Sequence, residues 1–300
     1  MRRSEFIRAV AGGIVLLSVG RMPAVAAPRT LRFGILTDVH YADRERGGTR
    51  YYRDSLAKVE EAIGAFNRAK VDFVIELGDL KDTTAGSEPA PTLRFLSDIE
   101  RCLQQFDGPV YHVLGNHDMD CISKEEFLSL TSNAGRARGK AYYSFRERGV
   151  RCIVLDANFN EDFSPYHCGN FDWRKAFIPQ EQIEWLDAEL TKHSGEPTLI
   201  FLHQMLDSFS DISKDLCVGN AEDVVSVLER HPQVVAVFQG HHHPGHYSFR
   251  RGIHYLTLQG MIEQAAPTSA YAIVEVAADG TISVDGFRSC PDRVMERKSK

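Results

Sequence analysis

Five apolar runs in this 300-residue chain each end in Asp, Asn or His. FGILT leads into Asp38 and His40, DFVIELG into Asp79, and PVYHVLG into Asn116-His117-Asp118. LIFL leads into His203, and VVAVFQG into His241 and His243. Short apolar runs bounded by turn signals read as strands buried on both faces, the kind that lie under helices in parallel sheets. In open α/β sheets the ligand crevice lies beyond the carboxyl ends of the strands. Five ends carrying polar groups therefore predict one polar site, and a fold that lines those ends up.

Between the runs the apolar residues fall at helical spacing. Leu56, Val59, Ile63 and Phe66 predict an amphipathic helix over 51–70. A Ser/Pro-rich loop to Pro91 precedes a helix running to Phe106, and Asp107-Gly108-Pro109 turns the chain into the strand before Asn116. Ser123 and Glu126 spell a capping box for a short helix. Residues 142–145 and 150–155 predict a hairpin about Arg148-Gly149. Helices are expected over 180–192, behind Pro179, and over 221–230. The chain then closes in strands over 247–249, 253–258, 270–276 and 281–287. Alternating strands and helices followed by consecutive strands predict an α/β fold of two packed sheets with helices outside. The expectation is one domain over 30–290 and a frayed tail over 291–300. Two irregular stretches, 156–178 and 204–220, have the length of functional loops.

The formal net charge is −6, and no basic patch offers a nucleic-acid footprint. An acidic chain acting on anions needs local positive charge, which bound cations supply. Residues 1–26 read as an export signal: Arg2-Arg3, an apolar stretch over 9–20, then Ala24-Val25-Ala26 as a cleavage site. The stretch is short for a stable membrane span. The arginine pair points to the twin-arginine route, so an exported protein, periplasmic or secreted, is expected. The six cysteines show no CxxC and no zinc-finger spacing.

Asp38 and Asp79 offer carboxylates, Asn116 an amide oxygen, and His40, His203, His241 and His243 imidazole nitrogens. Mixed nitrogen and oxygen donors without thiolate suit Mn, Fe, Zn or Co. Seven donors exceed one tetrahedral site and suit two divalent cations about 3.5–4 Å apart that share a carboxylate. Two such ions against two carboxylates leave a formal +2, matched to a phosphate oxyanion, and turn a bridging water into hydroxide near neutral pH. His242 and His246 read as bystanders, and Tyr51, Tyr52, Phe171 and Trp173 as packing residues.

At these positions the sequence resembles the calcineurin-like metallophosphoesterases. That family's blocks appear here in order as Asp38-x-His40, Gly78-Asp79-x-x-Asp82, Gly115-Asn116-His117-Asp118, His203 and Gly240-His241-x-His243. The resemblance implies a four-layer αββα sandwich with a dinuclear metal site at the carboxyl ends of the strands. One ion would be held by Asp38, His40, Asp79 and His243, and the other by Asp79, Asn116, His203 and His241. His117 would be the phosphate-contacting general acid, oriented by Asp118. Asp82 is a candidate for holding a ligand from behind.

RYYRDSL and GIHYLTLQGMIE further resemble the manganese-dependent ADP-ribose/CDP-alcohol diphosphatases. This implies manganese and a small nucleotide-like substrate with a diphosphate linkage, whose second phosphate could meet Arg50 or Arg53. Departures include His40, where those proteins often carry Gln, and Asp118, where they often carry Glu. A phosphomonoesterase on the same metals is the alternative. A non-catalytic periplasmic binder is disfavoured, because neither a ligand nor His117 is missing.

Overall fold

The structure, a computed structural model, describes residues 30–135 and 138–297; the expected export segment lies outside them. Two six-stranded sheets form the centre. In the first, Leu31–Leu36 (β1), Phe73–Glu76 (β2) and Val110–His112 (β3) run parallel, with Phe33 opposite Phe73 and Val74 opposite Val110. In the second, Tyr143–Glu147 (β4) pairs antiparallel with Val150–Val154 (β5) as the expected hairpin. Thr198–Phe201 (β6) and Val234–Gln239 (β7) follow β5 in parallel. His246–Arg250 (β8) and Ile253–Thr257 (β9) complete that sheet in the order β4-β5-β6-β7-β9-β8.

The C-terminal strands return to the first sheet. Ala270–Val276 (β10) lies antiparallel to β1, and Ile282–Arg288 (β11) and Arg293–Met295 (β12) extend the edge. The order is therefore β12-β11-β10-β1-β2-β3. β12 corrects the expectation of a tail after 290: Met295 pairs with Ile282 and is buried, while Val294 is 66% exposed. Three alternating residues are too few to stand out as a periodic pattern.

Ser55–Ala69 (α1), Pro89–Leu103 (α2) and Lys124–Leu130 (α3) pack an apolar layer against the outer face of the first sheet. Gln180–Lys192 (α4) and Ala221–Arg230 (α5) do so on the second. A third apolar layer fills the space between the sheets. The result is the four-layer αββα sandwich. Phe33 lies at its centre, stacked on Phe73 at 4.9 Å and meeting Phe201 and Phe238 edge-on at 5.8 Å each. Each fully buried ring of this kind contributes roughly 1.5–3 kcal/mol. The capping box at α3 forms in full, with Ser123 Oγ accepting from Glu126 N–H at 3.1 Å and the Glu126 carboxylate accepting from Ser123 N–H at 2.8 Å. α1 begins later than its periodic pattern, because Tyr52–Asp54 forms a 3-10 turn first.

Candidate metal centre

The carboxyl ends of β1, β2 and β3 from one sheet meet those of β6 and β7 from the other. Asp38, His40, Asp79 and His241 each take a positive φ, of 53°, 47°, 57° and 71°. Left-handed backbone costs roughly 1–3 kcal/mol per non-glycine residue and collects at functional sites. It bends the chain sharply after β1, β2 and β7, so that their side chains enter one cleft. Glycines let the strand ends touch. A Cβ on Gly115 would lie 2.2 Å from Asp79 N, and one on Gly240 would lie 2.2 Å from Thr37 Oγ1.

Two groups of donors result. His243 Nε2 stands 3.3 Å from Asp38 Oδ1 and 3.3 Å from His40 Nε2. His203 Nε2 stands 3.2 Å from Asp79 Oδ2 and 3.3 Å from His241 Nδ1. Asp79 Oδ2 is also 3.5 Å from His40 Nε2, so this one carboxylate faces both groups. Asn116 Oδ1 and Asp38 Oδ1 are buried without a hydrogen-bond partner.

This arrangement fits cations. Two imidazole nitrogens 3.3 Å apart repel when both present lone pairs, unless a proton or metal ion lies between them. The second ring nitrogens are occupied elsewhere: His203 Nδ1 donates to Leu77 O at 2.8 Å, and His243 Nδ1 to Glu263 Oε1 at 2.7 Å. Those bonds leave each Nε2 turned toward the carboxylates, as metal-binding imidazoles are usually held. Burial works against protonating His203 and His243, yet the charge of Asp79 on the first and Asp38 on the second raises them to about 10 and about 9. Burial would likewise raise Asp79, but His203, His117 and His40 hold it well below the carboxylate range. The carboxylates thus draw positive charge toward His203 and His243, while burial and then the neighbouring His203 push His241 down to about 3. The donor set of two carboxylates, one amide oxygen and four imidazoles accommodates two divalent ions sharing Asp79.

His117 lies beside the cluster and lines a cavity of about 480 Å³ together with Arg50, Asp79, Asn116 and His241. Its backbone N–H donates to Asp79 Oδ1 at 2.7 Å, and its ring meets His40 edge-on at 4.7 Å. The expectation that Asp118 orients His117 is corrected. Asp118 accepts backbone N–H groups of Gly115, Asp79 and Leu80 at 2.8, 3.0 and 3.0 Å, and so ties β2 to β3. The 3-10 turn His117–Met119 sends these neighbouring side chains in different directions. His117 Nδ1 instead faces Asp120 Oδ2 at 3.6 Å and Asp82 Oδ2 at 3.8 Å. Asp82 also sits 3.4 Å from His40 Nδ1, behind the first group.

Arg50 lines the cavity but Arg53 does not, which corrects the second arginine. Arg53 is held by Asp43 at 2.6 Å and Glu45 at 2.5 Å on the surface. Trp173 corrects its reading as a packing residue: it is 46% exposed and lines the same cavity. Sequence reasoning also missed Glu263, Asp120 and Lys81, whose fully buried ammonium bonds Asp120 and His117 O. A larger cavity of about 860 Å³, beside Tyr142 and Trp185, contains none of the grouped donors.

A model of the calcineurin-like phosphoesterase family matches residues 31–245. The chain belongs to this family. A manganese-dependent ADP-ribose/CDP-alcohol diphosphatase from Arabidopsis thaliana is 28% identical over 309 residues, covering 88% of this chain and 96% of that protein. The Homo sapiens protein of the same name is 28% identical over 327 residues, covering 92% and 95%. Among solved structures, a dimetal phosphatase from Danio rerio superposes with a TM-score of 0.77 at 25% identity, covering 89% of this phosphoesterase and 99% of that chain. A purple acid phosphatase from yellow lupin shares the fold at 16% identity and a TM-score of 0.56, over 87% of this chain and 52% of its own.

Proposed function

We propose that this phosphoesterase hydrolyses the diphosphate linkage of a small nucleotide-like substrate, with manganese as its metal. The observation that carries the reading is the shared cavity: two donor groups joined through Asp79 at its floor, and a separate cation, Arg50, in its wall. A diphosphate presents two anionic phosphorus centres, so one can lie at the donor groups while the other meets the guanidinium. The similarity to manganese-dependent diphosphatases over nearly the whole chain supports the same substrate class.

When bound, two divalent ions supply charge for the phosphate oxygens and a nucleophile from water at neutral pH. Asp38, His40, Asp79 and His243 would hold one, and Asp79, Asn116, His203 and His241 the other. His117 gives a proton to the departing oxygen. Burial opposes its protonation, but Asp79 and then Asp120 raise its affinity for the proton. Asp82 and Asp120 hold its ring from behind.

The test is kcat/KM with manganese on ADP-ribose and a CDP-alcohol against p-nitrophenyl phosphate. Preference for the diphosphates supports the reading. Preference for the monoester leaves a phosphomonoesterase on the same residues. We also propose export through the N-terminal segment with Arg2-Arg3 and Ala24-Val25-Ala26. Mature protein from the native host should begin near Ala27, and an intact Met1 terminus in the cytosol would refute export.

A further inference from the structure

Trp173 sits in the 156–178 loop and turns a large apolar ring to solvent beside the cleft that holds the donor groups. Its ring lies 5.7 Å from that of His241 at 62°, so it flanks the donor group of His203 and His241. Leu216, from the other long loop, and Pro244 line the same cavity. The loop stem is well anchored. Gly219 N–H donates to Ala176 O at 2.7 Å, Ile178 N–H donates to Asn220 Oδ1 at 3.0 Å, and Asn158 donates to Leu114 O at 2.7 Å. Arg174, pinned by Asp172 at 2.8 Å, lies 6.0 Å from the indole. An exposed tryptophan on a fixed stem is a preformed stacking surface, since its position is set before ligand arrives.

Arg50 marks the opposite side. It bridges in the backbone to Glu263, which bonds His243 in the other donor group. His117 lies on that side too, against His40. The cavity thus has the indole near His241 at one end and Arg50 near His40 and His243 at the other.

We infer that Trp173 is the specificity-determining residue of this site: it stacks a nucleobase, and so orients the diphosphate with its nucleoside end toward His241 and its leaving phosphate toward Arg50. The inference rests on the diphosphate reading above. In that orientation, water adds its oxygen to the phosphorus carrying the nucleoside. The bond from that phosphorus to the bridging oxygen breaks, and the bridging oxygen leaves with the second phosphate, taking a proton from His117. A nucleoside monophosphate is released with the solvent oxygen in it.

The test uses the full manganese-loaded chain, with ADP-ribose and a dialkyl diphosphate lacking any base as probes, in water enriched in oxygen-18. In the wild type, kcat/KM should favour ADP-ribose. Base stacking on an aromatic side chain is worth enough that Trp173→Ala should lower that preference roughly tenfold or more, mainly through KM, while Trp173→Phe keeps most of it. The label should appear in AMP. No preference in the wild type would defeat the nucleotide reading itself. A wild-type preference that survives Trp173→Ala, or label in ribose phosphate, would overturn the role and orientation assigned to Trp173 while leaving the diphosphate reading in place.

Discussion

Glu263 Oε1 lies 2.7 Å from His243 Nδ1, and this contact decides which imidazole nitrogen faces Asp38. Glu263 stands on a backbone segment clamped by Lys58, whose buried ammonium donates to the carbonyls of Met261 at 2.8 Å and Gln264 at 2.8 Å. A carboxylate behind a metal-binding histidine raises its basicity and fixes its ring, and losing one typically weakens the metal 10–100-fold. In Glu263→Ala, calorimetric manganese titration should show one site weakened by about that factor and the other retained. Equal affinity at both sites, as in the wild type, would remove Glu263 from the centre.

His117 should separate from the metal ligands by its effect. His117→Ala is expected to keep both ions and slow kcat about 10²–10⁴-fold, the usual worth of a general acid. Metal content by mass spectrometry together with steady-state rates decides this. Loss of an ion would make His117 a ligand.

Asp118 should behave as a structural tie. Its carboxylate accepts four backbone N–H groups within the site loops, those of Gly115, Asp79, Leu80 and Lys81. Each such hydrogen bond is worth roughly 0.5–1.5 kcal/mol, and leaving the buried donors unpaired adds roughly 1–3 kcal/mol for each. Asp118→Ala should therefore lower the unfolding free energy by at least about 3 kcal/mol in denaturant titration. A variant of wild-type stability that is merely slow would return Asp118 to the role of orienting His117.

These outcomes bear on what a sequence shows. The seven donors were legible because each ends an apolar run, and strand ends converge by topology rather than by detail. The helices were legible for a related reason, since Leu56, Val59, Ile63 and Phe66 repeat often enough to outweigh local noise. Asp118 was not, because adjacency in sequence says nothing of direction within a 3-10 turn. Glu263 follows no strand end of the motif set and reaches His243 through a loop closed by Lys58, a contact 205 residues apart in sequence from that lysine. Arg50 and Arg53 look alike as letters, and only the placement of Asp43 and Glu45 tells them apart.

A buried charge triad beneath the site gives the fold a pH signature. His112 Nε2 lies 3.1 Å from Glu100 and Nδ1 3.6 Å from Glu76, all three buried. Burial opposes the histidine's proton, but Glu100 and then Glu76 push it up to about 10. Its folded pKa therefore exceeds the unfolded value of about 6.5. The stability it contributes is complete below about pH 6.5 and is lost as pH rises toward about 10. His112→Gln leaves two carboxylates uncompensated and should cost about 3–5 kcal/mol at pH 7. The gap between wild type and variant should narrow from pH 7 to 10 in parallel denaturant titrations, and a constant gap would contradict a charged His112.

Asp79 faces both donor groups, and we propose that this one carboxylate serves two ions. Anomalous X-ray diffraction from manganese-loaded crystals tests it most directly. Two manganese peaks are expected, both within bonding distance of the Asp79 carboxylate, one beside His40 and His243 and the other beside His203 and His241. A single peak, or two peaks of which only one contacts Asp79, would contradict it.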